Sequence, residues 1–229
     1  MNKSGNFRYE RKFIFESIDK KLITSLIKNH PANFKKAFPS RKVNNIYLDS
    51  PNFQSFDDNI EGLANRSKVR IRWYGKDIFN AKKPTLEFKT KRGLTGKKNS
   101  YNLKSFNIDK NFSKKKVINL IENTNVFDLD RDLLKSFNLS VMNNYDRDYL
   151  LSYDKRFRIT LDENINFIAI KNKNNRFNEI YKIKSQIIME IKYIDIYDKY
   201  CEQITNFFPF RLSKNSKYVE GLININRFI

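Results

Sequence analysis

Lys68, Arg70 and Arg72 occupy every second position of the stretch SKVRIRWYG, residues 67–75, with Val69, Ile71 and Trp73 between them. In an extended strand this spacing puts three cations on one face and three apolar side chains on the other. Guanidinium groups bind phosphate oxygens through paired, charge-assisted N–H bonds, so Arg70 and Arg72 at i and i+2 could hold neighbouring phosphates. A solvated strand face is the plainer alternative, but adjacent like charges repel and are ordinarily interrupted by acids.

The same two-faced pattern recurs. Glu87, Lys89 and Lys91 oppose Leu86, Phe88 and Thr90 in LEFKTK; Arg156, Arg158, Thr160 and Asp162 oppose Phe157, Ile159 and Leu161 in RFRITLD. Glu190 and Lys192 oppose Met189, Ile191 and Tyr193, and Arg8, Glu10 and Lys12 share a face of RYERK. Glu190 could simply neutralise Lys192, but an acid set among so many cations suits a hard oxygen ligand for a divalent metal, and Glu190 is the first candidate. Glu10 and Glu87 could assist it or pair with the lysines. Lys214 and Lys217 in SKNSKY read either as an ordinary basic loop or as further anion ligands.

Other chemistries find little support. GLTGKKNS, residues 93–100, has two residues where a phosphate-binding Walker loop has four, and reads as a hairpin turn. No His–Glu, Cys–Cys or Ser–His arrangement points to a hydrolytic nucleophile. His30, in a loop after the first predicted helix, reads as structural, and Cys201, the single cysteine, as a buried thiol in a reducing compartment.

These residues must be positioned by a predominantly antiparallel β fold. Strands are expected at 7–15, 43–50, 67–74, 84–91, 98–106, 144–153, 156–162, 165–170, 178–184 and 186–193. Helices are expected from Ser17 or Asp19 to Ile27 with the stripe Leu22, Ile23, Leu26 and Ile27, in NFQSFDDNIEG at 52–62 closed by Gly62, within 113–137, and at 195–207. A sandwich would bury the apolar faces and wet the charged ones. A closed barrel would instead pack its apolar outside against the helices and line its interior with charge; the helical stripes, which need an apolar partner outside the sheet, favour the barrel. The interior must then be wet or filled by anions, because dry unpaired ions are costly.

The 229 residues suit one domain, with 20 Phe and 12 Tyr to build a core. Forty-five Lys and Arg against 25 Asp and Glu give a formal charge of +20, which attracts polyanions. Part of that excess reads as lysine drift on the surface, which does not explain periodic arginines. The charged start MNKSGNFRYERKF lacks the apolar run of a signal peptide, and no span of about 18 apolar residues occurs, so a cytoplasmic chain without its own membrane segment is expected.

With RYERK, VRIRWYG, LEFKTKRG, YDRDYL, RITLDE, IMEIKY and RLSKNSKYVEG in this order, the chain resembles the catalytic domain of the vacuolar transporter chaperone (VTC) family, a branch of the triphosphate tunnel metalloenzymes. The resemblance runs from about residue 7 to 222. It implies an α+β fold built on an eight-stranded antiparallel tunnel with helices outside, and synthesis of polyphosphate from ATP with Mn²⁺ or Mg²⁺. Arg70, Arg72, Lys89, Arg147 and Arg158 match its phosphate ligands, Lys12, Lys214 and Lys217 its further lysines, and Glu190 its metal-binding acid. Lys91 and Lys192, on the same charged faces, join the expected substrate ligands. The wider superfamily opens with Glu-x-Glu-x-Lys, whereas this chain has Arg8, Glu10 and Lys12, which points to the VTC branch. Three functions follow: a polymerase using ATP and polyphosphate with a possible membrane partner; a triphosphatase with water positioned by an acid such as Glu10; and a non-catalytic module binding polyphosphate, or nucleic acid through its basic exterior.

Overall fold

The computed structural model describes residues 8–124, 126 and 128–225. Its strands are β1 (Arg8–Glu16), β2 (Lys35–Asp49), β3 (Asn65–Tyr74), β4 (Asn80–Ala81), β5 (Thr85–Arg92), β6 (Thr95–Asn102), β7 (Phe106–Asn107), β8 (Asn138–Leu151), β9 (Arg158–Ile168), β10 (Ile180–Lys182) and β11 (Gln186–Ile194). Its helices are α1 (Lys20–Lys28), α2 (Gln54–Ile60), α3 (Lys114–Glu122), α4 (Asp128–Ser136), α5 (Cys201–Thr205) and α6 (Lys217–Ile225), with a 3-10 turn over Asp195–Tyr200. None of the described helices is long and apolar enough to cross a membrane.

Eight strands form an antiparallel ring in the order β9-β11-β1-β6-β5-β3-β2-β8, closed by β8 pairing back to β9, while β10 pairs with the end of β9 at Asn166–Ile168, beyond the part paired with β11. The closed-barrel expectation is met, although the ring is uneven. β1 pairs with β11 along its whole length, from Arg8↔Ile194 to Glu16↔Gln186, but among the described residues its pairing with β6 is limited to Arg8↔Gly96.

Alternation sends the apolar residues of each strand outward into two cores. Ile71, Trp73, Leu86 and Phe88 pack with Val117 and Ile121 of α3 and Leu134 of α4; Phe13, Phe15, Leu161 and Met189 pack with Ile23 and Ile27 of α1 and Cys201 and Ile204 of α5. Each fully buried Ile, Leu or Phe contributes roughly 1.5–3 kcal/mol, and nine-residue helices such as α1 and α3 depend on that burial. In α1 the stripe is narrower than expected: Ile23 and Ile27 are buried while Leu22 is 52% exposed.

A third core lies within one end of the ring. Val43, Tyr47, Val141, Tyr145, Ile165, Phe167 and Ile188 point inward there against Tyr218, Leu222 and Ile225 of α6. The helix thus stoppers the barrel. Asp49 at the end of β2 anchors it, accepting the Tyr218 hydroxyl together with the backbone N–H groups of Ser55 (2.9 Å) and Phe56 (3.1 Å) at the start of α2.

Several expectations shift. β2 starts at Lys35 rather than 43, since Pro39 is absorbed at a register break between Phe38 and Arg41. The strands expected at 156–162 and 165–170 are one, β9. Asn164 at φ 53° changes its phase, so that Ile165 and Phe167 share the interior with Asp162. β8 begins at Asn138, the strand expected at 178–184 shrinks to β10, and the helical stretch at 113–137 divides into α3 and α4, its positions 125 and 127 lying outside the described residues, as does Phe7 of the first strand. Helix α6 was not foreseen, because Gly221 interrupts its pattern. A Cβ at Gly221 would stand 2.7 Å from Phe167 Cδ1 and 3.2 Å from Val141 Cγ2.

Gly221→Ala is therefore expected to destabilise the protein by about 1–3 kcal/mol through overpacking, despite alanine's better helix propensity. Urea unfolding checks this; an unchanged or higher midpoint contradicts the close seating of α6.

Candidate functional site: a cation-lined barrel interior

The inward faces converge into one ion network. Glu87 on β5 accepts Arg70 of β3 (2.7 Å) and Lys98 of β6 (2.7 Å). Glu10 on β1 takes Lys89 on both oxygens (2.7 and 2.8 Å). Glu190 on β11 pairs with Lys192 (2.6 Å), Lys12 (3.3 Å) and Arg147 of β8 (3.7 Å). Asp162 on β9, fully buried, accepts both arms of Arg147 (2.5 and 2.6 Å) and Lys217 of α6 (2.6 Å).

Two cations stand apart. Arg72, 8% exposed, donates to Asn45 Oδ1 (2.8 Å) and the Tyr145 hydroxyl (2.9 Å), both neutral partners. Lys68 donates to Ser216 Oγ (2.6 Å) just before α6. The interior named here holds Lys12, Lys68, Arg70, Arg72, Lys89, Lys98, Arg147, Lys192 and Lys217 against Glu10, Glu87, Asp162 and Glu190, so a positive excess survives every ion pair. Such an enclosure favours a polyanion.

Protonation follows from this crowding. Burial alone would raise the carboxyls, but Lys89 holds Glu10, Arg70 holds Glu87 and Lys192 holds Glu190 well below the carboxylate range, and Arg147 lowers Asp162. All four remain ionised. Arg147 and Lys217 are raised, because Asp162 outweighs the burial that opposes their charge. Burial together with repulsion from Lys12, Lys89, Arg66 and Arg70 lowers Lys68 to about 6, and burial lowers Lys89 to about 8 against the pull of Glu10.

Of the residues singled out in the sequence, Lys12, Arg70, Arg72, Lys89, Arg147, Lys192, Lys217, Glu10, Glu87 and Glu190 come together in this network. Arg158 is exposed, opposite Lys192 in the β9–β11 register, and Lys214 is exposed in the loop before α6. Lys91 is half-buried, its basicity lowered by burial and by Arg66. Sequence reasoning passed over Lys98, set aside with the hairpin it leaves, and Asp162, whose place beside Arg158 and Thr160 on one face was its signal. Asn45 and Tyr145 gave none. His30 is structural: Nδ1 accepts Ala32 N–H (2.9 Å), Nε2 faces Ile204 O (3.1 Å), and Phe34, Phe207 and Phe208 surround the ring. Cys201 is a buried free thiol.

Among the described residues no three His, Cys, Asp or Glu groups are spaced to hold a metal ion. Both oxygens of Glu10 and of Glu87 are engaged in ion pairs. Glu190 is also paired on both oxygens, with Lys12 and with Lys192, so the set fits a divalent cation in one mode: Glu190 exchanges a lysine for the ion as phosphate enters, with phosphate oxygens and water completing the shell, which Mg²⁺-like ions accept.

Lys68 supplies a test. Its folded value of about 6 lies below the ordinary 10.5, so between these the unfolded chain binds more protons and stability rises with pH. Lys68→Met is expected to raise stability at pH 7 by about 1 kcal/mol or more, ~2–4 °C in Tm, with the gain shrinking as pH approaches 10. Tripolyphosphate binding at pH 7.5 is expected to take up protons in the wild type and fewer in Lys68→Met, measured by calorimetry in buffers of different ionisation heat. Equal uptake in both contradicts a depressed Lys68.

Comparison with known proteins agrees with this geometry. A structure from Vibrio parahaemolyticus, provisionally assigned as an adenylate cyclase, superposes with a TM-score of 0.54 at 11% identity, covering 96% of this chain and 99% of that one. The PH1819 protein from Pyrococcus horikoshii OT3 superposes with a TM-score of 0.50 at 14% identity, covering 94% and 98%. At such identities the likeness concerns the fold. No curated protein sequence matches the chain. The model of the VTC domain matches residues 7–225, nearly the whole sequence and every element of the ring, and the chain belongs to the VTC domain family.

Proposed function

We propose that the barrel interior is the active site of a polyphosphate polymerase that transfers the γ-phosphate of ATP to a growing polyphosphate chain. The observation that carries this reading is the enclosed cation excess: arginines and lysines from several strands and from α6 converge on a space whose carboxylates are already neutralised. Membership of the VTC domain family supports a site for triphosphates.

In this reading Arg72 and Arg147 grip the triphosphate, the first because it has only neutral partners to give up, the second from a fixed position against Asp162. Arg70, Lys89, Lys12 and Lys192 spread positive charge along the chain. The terminal oxygen of the polyphosphate attacks the γ-phosphorus, the bond to the β-phosphate oxygen breaks, and ADP leaves. In a loose transition state, positioning and charge neutralisation supply most of the catalysis. A divalent metal bound by Glu190 would add Lewis-acid polarisation of phosphate oxygens. Lys192 and Lys12, released from Glu190 as phosphate enters, become free to hold it.

The hydrolase reading needs an acid to orient water, and Glu10 is its candidate. Lys89 occupies both Glu10 oxygens and keeps the group ionised but engaged, which favours polymerisation over hydrolysis.

Incubation with ATP and Mn²⁺ or Mg²⁺, with products resolved by gel, is expected to give a polyphosphate ladder. Free phosphate alone would establish the hydrolase, and tight polyphosphate binding without turnover the binding module. Glu190→Gln is expected to lower metal-dependent ATP consumption by ~100-fold or more while binding metal-free tripolyphosphate as well as the wild type or better. An unchanged rate across a metal titration would make Glu190 only an ion-pair partner of Lys192. Arg72→Ala is expected to weaken tripolyphosphate roughly 10- to 100-fold by calorimetry, as loss of a charge-assisted contact implies. Arg70→Ala should cost less affinity but more stability, because it leaves Glu87 buried with Lys98 alone.

A further inference from the structure

Beyond Arg72 and Arg147 the interior face continues to the rim of the ring and changes character. Tyr74 follows Arg72 on β3 and Tyr149 follows Arg147 on β8, each two residues on and so on the same face. Phe38 on β2 is in register with Tyr149, and the two rings meet edge to face with centroids 5.9 Å apart. Arg41 lies across all three rings: its guanidinium carbon is 5.5 Å from the centroid of Phe38, 5.3 Å from Tyr74 and 5.8 Å from Tyr149. It is exposed and pairs with no carboxylate among the described residues, while Phe38 and Tyr74 each remain 44% exposed.

This rim communicates with the phosphate ligands. Burial and Tyr74 push the Tyr149 phenol up to about 12, against the opposing fields of Arg147 and Arg72, so the aromatic groups and both arginines lie within one electrostatic neighbourhood. The step from Arg72 to Tyr74 is roughly 6.6–6.8 Å of strand. That is the scale of a ribose between a phosphate and a base.

We propose that Phe38, Arg41, Tyr74 and Tyr149 form a nucleobase platform at the mouth of the barrel, on which the base of a nucleoside triphosphate stacks while its phosphates enter toward Arg72 and Arg147. The proposal rests on the reading of the interior as the triphosphate site. Three aromatic faces and a planar guanidinium offer stacking surface without a base-specific hydrogen-bond pattern, so the platform accepts nucleotides by π area, purines above pyrimidines. It gives a nucleotide a contact that inorganic tripolyphosphate lacks. The entering donor is thereby distinguished from the polymer, whose phosphates the interior cations treat alike.

The test measures metal-free ATP, CTP and inorganic tripolyphosphate by calorimetry on the wild type, on Phe38→Leu/Tyr74→Leu and on Arg72→Ala. The double variant changes exposed side chains, and a thermal melt confirms that it folds. It is expected to weaken ATP about 5- to 100-fold, CTP less, and tripolyphosphate less than twofold. Tyr74→Trp, with a larger ring, is expected to tighten ATP and leave tripolyphosphate unchanged. Equal changes for ATP and tripolyphosphate, or no change for either, in the double variant overturn the platform. Arg72→Ala isolates the underlying reading: if it leaves both ligands unaffected, the interior phosphate site fails, whatever the aromatic variants do to ATP.

Discussion

Like-charge repulsion inside a closed ring is the constraint on which the rest of this structure depends. Strands that face inward with lysine and arginine can close around one another only if enough carboxylates stand between them: Glu87 and Glu190 each pair with cations of two or more strands, Asp162 with Arg147 and with Lys217 of α6, and Glu10 with Lys89. The compensation is incomplete. Arg72 makes do with an amide and a phenol, and Lys68 with a hydroxyl and a depressed pKa. The free protein thus holds a positive potential that an incoming anion relaxes, and ligand binding and folding stability are coupled through the same charges.

Asp162 shows how this network governs architecture as well as binding. It sits on β9, clamps Arg147 of the neighbouring strand and receives Lys217 from the start of α6. The stoppering helix is consequently held at its first two residues by carboxylates, Asp162 through Lys217 and Asp49 through Tyr218. Lys217 also lies 4.8 Å over the Tyr145 ring, whose hydroxyl accepts Arg72. The position of the C-terminal helix and the orientation of a principal phosphate ligand are therefore linked through one aromatic ring.

Much of the fold was legible because period-2 alternation survives composition bias: Lys68/Arg70/Arg72, Glu87/Lys89 and Glu190/Lys192 each declared an interior face that the ring confirms. What escaped shares a physical cause. Gly221 masked α6 because the propensity penalty is local, whereas its benefit, clearance from Phe167, is tertiary. Asn164 concealed the continuity of β9, since a positive φ changes the phase without ending the strand. Lys98 looked like part of a turn, and only the β5–β6 pairing brings it to Glu87. Asn45 and Tyr145 carry no charge and no period, so their service to Arg72 could be seen only in three dimensions.

Among the described residues β1 and β6 share the one backbone pair Arg8↔Gly96, and this bears on the molecule's dealings with its own kind. Among the described residues, most of β6 has one row of peptide groups without a neighbouring strand, an edge within the ring. Its sequence, TGKKNSYN, is polar, carries Lys97 and Lys98, and is largely exposed. Lysines on such an edge deter strand addition by a second chain, since that would bring like charges together and bury them. Lys98, which also adds positive charge to the barrel, thereby helps protect this seam against aggregation.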